Sequence, residues 1–326
     1  MPLPSVAVIL PTFNEEGSID ACMRSLADQD YPGRWEIVVA DGRSEDATRA
    51  RIETWHARTN LRIVDNPARV QSAGLWAAAQ ATDADVLVRA DAHTVYSPDY
   101  LSRSVEVLAD SGATAAGGPM VPDAFSRFGT AVARVMRSPV GVGPGAFHHV
   151  GRRREVDTVY LGAFLRSDFL ELGGMRTFPS GVAEDADFYW RMRRAGGSVI
   201  LDPGIGSVYR PRETWRGLWT QFRRYGMGKA DMLLVNRAWP SWRPLAPLAL
   251  IAGLLGGVAL GVFGVWWPLG LLSVAWLAVL TVAGRGRPLD MVVAATMHLA
   301  YGIGLLGGLM RSPARVRAQV SAASSP

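Results

Sequence analysis

The stretch ADVLVRADAHT, residues 84–94, decides the fold. Val86-Leu87-Val88 is a short continuous apolar run, which predicts a strand buried on both faces. The chain then places Asp91 and His93 two residues apart. As a turn, Asp and His at a strand end need only water. As a site, a carboxylate and an imidazole at the carboxyl edge of a parallel sheet offer ligands to a cation and its phosphate. The neighbouring segments weigh one reading against the other.

Similar apolar runs occupy 6–11, 35–40, 61–65, 85–90 and 114–118, with helix patterns over 18–28, 46–58, 69–81 and 98–110. This alternation predicts an α/β fold, a mostly parallel sheet with helices on both faces. Ligands of such sheets sit off the carboxyl ends of the strands. Those ends read Pro11-Thr12-Phe13-Asn14-Glu15, Asp41-Gly42-Arg43-Ser44, Asp65-Asn66 and Asp91-Ala92-His93. Acidic residues thus recur at one edge of a chain whose formal net charge is +5. Each alone suits a turn or a helix cap, as Ser44 or Asp46 would for 46–58. Their coincidence on one edge favours a site. No G-x-G-x-x-G follows the first strand, and the lone lysine, Lys229, has no Walker-type context. The Gly-rich GVGPGAF (141–147) lacks a preceding strand and reads as a loop.

Further along, TVYLGAF (158–164) and SVILDP (198–203) read as strands. Between them Glu184 and Asp185 open a helix over about 184–195. Acids in a first turn suit the helix dipole. A carboxylate held there also stays ionised at neutral pH, as a general base requires. The segment 212–229, RETWRGLWTQFRRYGMGK, predicts a helix that ends at Gly226. Trp215, Leu218, Trp219 and Phe222 form its apolar stripe, flanked by Arg216, Arg223 and Arg224. Such a helix suits a membrane interface or an ordinary protein surface.

Residues 245–283 carry no charge, about twice the roughly 20 apolar residues that cross a bilayer. VWWPLG (265–270) divides them, so spans are expected at 245–263 and 269–284. A third apolar run, 289–310, carries Asp290 and His298 and has Gly302, Gly304, Gly307 and Gly308 for close packing. It either spans or lies partly embedded. The start, MPLPSVAVILPTFNEE, has no basic region or long apolar core and reads as a strand. The first 240 residues are therefore expected in the cytosol, at the cell's inner membrane. Arg285 and Arg287 belong there by the positive-inside rule. The basic tail 311–320 would lie outside if all three runs crossed, against that rule. The expected organisation is a catalytic domain over 1–211, an amphipathic linker over 212–243, a membrane domain over 244–310 and a tail over 311–326. The single cysteine, Cys22, excludes an internal disulfide or a Cys-cluster metal site. Basic residues cluster just before the apolar runs, which favours membrane lipids or a diphosphate over nucleic acid as partner.

Five motifs in order carry a resemblance: VILPTFNEEGSI, VVADGRSEDAT, RADAHT, SGVAEDADFYWRMRRAGG and QFRRYGMGK. They resemble, in turn, the opening nucleotide loop, the D-G-S-x-D-x-T strand end, D-x-D, E-D with a downstream arginine, and Q-x-x-R-W of family 2 glycosyltransferases. With its C-terminal apolar helices the chain looks most like the succinoglycan-type exopolysaccharide branch. The resemblance implies a GT-A fold and inverting transfer from a nucleotide-diphosphate sugar donor to a lipid-linked or saccharide acceptor. With it, Asp185 is expected as the base and Glu184 as the residue that positions the acceptor. It gives substrate contacts to Pro11, Thr12, Asn14, Glu15, Asp41, Arg43, Arg69, Asp91, Arg191, Gln221, Arg223 and Arg224. It also implies a divalent metal, Mn²⁺ or Mg²⁺, at Asp91 and His93. This sequence departs from the pattern in reading D-x-H for D-x-D, Arg43 for Ser and Tyr225 for Trp. Imidazole prefers softer ions than Mg²⁺, which points to Mn²⁺, unless Asp91 alone holds the ion through water. The D-x-H departure also keeps in view a binding protein that has the fold without the catalysis. A nucleotidyltransferase would need the Gly-rich loop and lysine that are missing.

Overall fold

The structure is a computed structural model that describes residues 2–142, 151–238 and 244–323. Most of the Gly-rich loop, 143–147, lies outside the described residues. The chain divides into two compact units. One comprises Met1–Val121, His149–Thr177 and Glu184–Arg210; the other comprises Pro122–His148, Phe178–Ala183 and Pro211–Pro326.

In the first unit the strands are β1 (Val6–Thr12), β2 (Trp35–Asp41), β3 (Leu61–Asp65), β4 (Val86–Arg89), β5 (Thr94–Tyr96), β6 (Ala115–Gly118), β7 (Val121–Pro122, at the boundary), β8 (Arg154–Glu155), β9 (Tyr160–Leu165), β10 (Val199–Leu201) and β11 (Ser207–Tyr209). The main sheet has the order β3-β2-β1-β4-β9-β6-β10-β8. β1 pairs parallel with β2 and β4, and β2 with β3. Helices Ile19–Ala27, Thr48–Glu53 and Gln71–Gln80 lie between these strands in the chain. Val6 to Leu10 and all of β4 are buried, which is why these strands show no alternation. β9 runs antiparallel between β4 and β6, so the sheet is mixed. β5 and β11 pair antiparallel in a second, small sheet. Three-residue strands are too short to display a period, and the sequence carries no sign of them. Parallel register sets Thr12 opposite Asp41 and Asp41 opposite Asp65. The strand ends therefore form one row.

The second unit is helical. Arg127–Met136 begins at Ser126, whose hydroxyl accepts from the Gly129 N–H. Trp215–Asn236, Leu245–Val262, Trp267–Gly284, Pro288–Leu309 and Pro313–Ala323 follow. Three of these, Leu245–Val262, Trp267–Gly284 and Pro288–Leu309, are long and apolar enough to cross a membrane. The helix expected to end at Gly226 continues to Asn236. Gly226 is a contact point, not a stop. A Cβ there would collide with the Tyr301 carbonyl and sit 2.7 Å from the Leu305 nitrogen. Glycine inside a helix costs about 1 kcal/mol, and the close approach of the two backbones offsets it. Gly226→Leu is expected to cost about 1–3 kcal/mol by overpacking, seen as a lower thermal midpoint of the detergent-solubilised protein. Gly307→Leu is the control and does not lower the midpoint, because a Cβ at Gly307 meets nothing within 4 Å.

Candidate active site

The loops after β1 and β2 are laced together. The Asn14 N–H donates to Ser44 Oγ at 3.0 Å, and the Glu45 N–H to Asn14 Oδ1 at 2.9 Å. The Glu15 N–H donates to Thr48 Oγ1 at 2.7 Å, and the Ala47 N–H to Glu16 Oε2 at 3.1 Å. Asn14, Arg43 and Arg69 have φ of 54°, 56° and 55°. Left-handed backbone at non-glycine residues is uncommon and clusters at functional sites. Asp41 is fully buried. Its carboxylate accepts from Ser44 Oγ at 2.7 Å and lies 3.6 Å from Arg49 Nη1. It therefore shapes the loop that carries Arg43, whose Nε lies 3.5 Å from Asp65 Oδ2. Arg69 Nη2 lies 2.8 Å from Glu45 Oε1, and its guanidinium sits 5.0 Å from the centre of the Phe13 ring. Pro11 is packed so closely on helix Gln71–Gln80 that a Cβ on Gly74 would come within 2.9 Å of it. Thr12 Oγ1 is buried with no hydrogen-bond partner among the described residues.

A second cluster centres on Arg89, at the end of β4 and 5% exposed. Its Nη2 lies 3.6 Å from Asp91 Oδ1, which also accepts from Gln71 Nε2 at 2.7 Å. The Asp91 N–H donates to Tyr96 Oη at 2.6 Å. Burial works against the charge of Arg89, but Asp91, Asp185 and Glu184 outweigh it and hold the guanidinium more firmly protonated than usual. Carboxylates from two distant segments thus act on one buried cation. Glu184 and Asp185 occupy the first turn of helix Glu184–Arg194. Burial, then the charge of Asp185, push Glu184 up to about 7. The Ala186 N–H donates to Asp185 Oδ1 at 2.6 Å.

His93 Nδ1 lies 3.4 Å from Glu15 Oε1, and its side chain is 44% exposed. Among the described residues no group of three or more His, Cys, Asp or Glu side chains is arranged to hold an ion. A cation at Asp91 and His93 would therefore need its remaining ligands from a substrate diphosphate, the usual arrangement for Mg²⁺-type sites. The two residues do not fit a protein-only cage.

Arg191 lies two turns beyond Glu184 on the same helix. Its Nε lies 2.8 Å from the buried Asp187, and its two terminal nitrogens each donate at 2.5 Å to the Leu172 and Gly174 carbonyls. It pins the helix in place. Gln221, Arg223 and Arg224 belong to the second unit, on helix Trp215–Asn236. Gln221 Nε2 donates to Tyr225 Oη at 2.9 Å, and Arg223 Nη1 lies 3.8 Å from Met227 Sδ. Arg224 donates to the Ser180 carbonyl at 3.3 Å. Sequence reasoning missed Arg89 and Gln71. For Arg89 a signal existed, since an arginine inside a buried strand requires carboxylates around it. For Gln71 there was none.

The comparisons agree with this architecture. The model of "Glycosyl transferase family group 2" matches residues 87–305, and that of "Glycosyl transferase family 2" matches residues 7–155. The succinoglycan biosynthesis protein ExoA of Rhizobium meliloti is 31% identical over 324 residues, 96% of this chain and 97% of its own. ExoM of the same organism, also a succinoglycan biosynthesis protein, is 28% identical over 308 residues, covering 87% of this chain and 88% of its own. The mannosyltransferase PcManGT from Pyrobaculum calidifontis, solved with GDP-Man and Mn²⁺, superposes with a TM-score of 0.67 at 22% identity, over 94% of this chain and 87% of that one. That likeness shows a shared GT-A fold. A mixed sheet with an acidic row at its carboxyl edge, a paired Glu-Asp on the following helix and an end-to-end relative above 30% identity lead to one assignment: this chain belongs to glycosyl transferase family 2.

Proposed function

We propose that this enzyme is anchored in the inner membrane with its catalytic part in the cytosol. It moves a sugar, with inversion, from a nucleotide-diphosphate donor to a lipid-linked or saccharide acceptor. The observation that carries the reading is the gathering of Asp91, Glu184 and Asp185 about Arg89. The loops bearing Pro11, Thr12, Asn14, Glu15, Asp41, Arg43 and Arg69 bind and orient the nucleotide. A divalent cation held by Asp91 and His93, Mn²⁺ or Mg²⁺, supplies charge neutralisation for the departing diphosphate. Asp185 accepts the proton of the acceptor hydroxyl, and Glu184 positions that hydroxyl. Arg89 holds the acidic groups close without allowing them to repel one another apart. The relatives named for succinoglycan biosynthesis support a polysaccharide-building acceptor. The long apolar helices support one presented on a lipid.

Incubating membranes with a panel of nucleotide sugars and a lipid extract, then identifying the glycolipid formed, tests the reading. Absence of any donor turnover would overturn it in favour of a pure binder. Treatment with a chelator is expected to abolish transfer, with recovery on added Mn²⁺. Undiminished turnover in metal-free enzyme would remove Asp91 and His93 from their role. His93→Asp is expected to shift recovery from Mn²⁺ toward Mg²⁺, because carboxylate is the harder ligand.

The raised proton affinity of Glu184 has a consequence for stability. The folded protein takes up a proton below about 7, the unfolded chain only near the ordinary value of 4.5. Between these values the folded state binds more protons, so stability falls as pH rises through that window. Glu184→Gln is expected to flatten this slope, measured as the urea midpoint at a series of pH values.

A further inference from the structure

Three helices are long and apolar enough to cross a membrane. Three crossings would carry the basic tail to the side opposite Arg285 and Arg287, against the positive-inside rule. Packing inside the helical unit removes the conflict. Half of the apolar window of Pro288–Leu309 is buried in protein, against 22% for Leu245–Val262 and 17% for Trp267–Gly284.

The helix that lies along most of its length is a charged one. Trp215–Asn236 runs alongside Pro288–Leu309 in the same direction. Trp215 Nε1 donates to Thr296 Oγ1 at 2.9 Å. A Cβ on Gly304 would strike the Arg223 backbone, and one on Gly308 would strike Ala230. Arg311 Nη1 donates to the buried Asp231 at 3.1 Å. Any depth given to 296–311 is therefore shared by 215–231. That stretch carries Arg216, Arg223 and Arg224, all exposed. Exposed arginines in the hydrocarbon core are costly and rare. A second contact agrees. His298, midway along the third helix, points Nε2 at the Val140 and Gly141 carbonyls, 3.2 and 3.1 Å away. Non-helical backbone of that kind belongs beside water or protein, not lipid. At the start of the same helix, Asp290 receives two hydrogen bonds from Arg134, at 2.7 and 2.6 Å.

The hairpin Leu245–Gly284 is the opposite case. Its helices close on each other through small residues, with Gly253 facing Leu272, Gly257 facing Leu269 and Gly261 facing Trp266. Leu255, Val262, Phe263, Trp267, Leu271 and Val274 are exposed. Each helix has 18 residues, about 27 Å at 1.5 Å per residue and close to the thickness of a bilayer core.

We propose that the hairpin alone crosses the bilayer. The third helix does not cross: it packs on the inner end of the hairpin, where Trp276 Nε1 donates to His298 Nδ1 at 3.4 Å and a Cβ on Gly302 would strike Ile251, and it is the scaffold of Trp215–Asn236. The chain crosses twice, and the C-terminal helix Pro313–Ala323 returns to the side occupied by the residues before 245. The partner of the exposed hairpin face is lipid.

Single cysteines in the full-length Cys22→Ser protein, expressed in a Gram-negative host, test this. A membrane-impermeant maleimide applied to intact spheroplasts is expected to label Phe263→Cys, at the hairpin tip. Ala318→Cys is expected to resist labelling until the membrane is permeabilised. Labelling of Ala318→Cys in intact spheroplasts overturns the proposal. So does failure of Phe263→Cys to label from outside, which would mean a hairpin that dips without crossing. Neither result depends on catalysis, so the catalytic reading stands or falls separately.

Discussion

Asp185→Asn is expected to lower transfer by about 10²–10⁴-fold, the usual contribution of a general base. The substitution keeps the shape of the side chain and its acceptance of the Ala186 N–H, so folding and donor binding should persist. It also removes the negative charge that, after burial, contributes most to the rise of Glu184 to about 7. The acidic limb of the residual pH–rate profile is therefore expected to move downward. A variant that retains near wild-type turnover would remove Asp185 from the chemistry. Glu184→Gln separates the two roles. It should impair acceptor use while leaving a base in place, so the acceptor KM rises more than kcat falls.

Arg89→Met is expected to be the most destabilising change in the first unit, at about 3–5 kcal/mol, because it removes the cation from buried carboxylates. Arg89 is 5% exposed, so water cannot replace it. Without it, Asp91, Glu184 and Asp185 repel one another, and the proton affinity of Glu184, which Arg89 holds down against burial and Asp185, rises further. Raised carboxylate affinities mean stability is lost as pH rises. The penalty should thus be larger at pH 8 than at pH 5.5, read from denaturant midpoints at the two values. An equal penalty at both would show that Arg89 acts through packing alone. Arg89→Lys is expected to recover part of the loss, since a single ammonium keeps the charge without the planar fork.

Much of the sheet was legible because burial leaves a local trace. β1 and β4 are apolar up to their last residues, Thr12 and Arg89, and almost wholly buried. The apolar helices were legible for the same reason, and their ends fall within a few residues of the expected positions. Charge was read less well. Arg89 passed as an ordinary strand residue because Glu184 and Asp185, whose charges act on it, lie about ninety-five positions away. Arg191 was given a substrate contact by the resemblance, and its nitrogens bond to Asp187 and to the Leu172 and Gly174 carbonyls. Gly226 looked like a helix stop because local rules count glycine as a breaker; its neighbour Tyr301 is seventy-five positions on.

The amino-acid order by itself determined the parallel strands, the acidic row at their carboxyl ends and the uncharged C-terminal helices, since each is a periodic or compositional property of a short window. Only the tertiary structure decided which charges meet and which helix is sheltered. β9 inserts between β4 and β6, and Trp215–Asn236 lies along Pro288–Leu309. Such pairings follow from sheet order and helix docking between distant segments, and electrostatic partnership is set by distance in space, which no local pattern encodes.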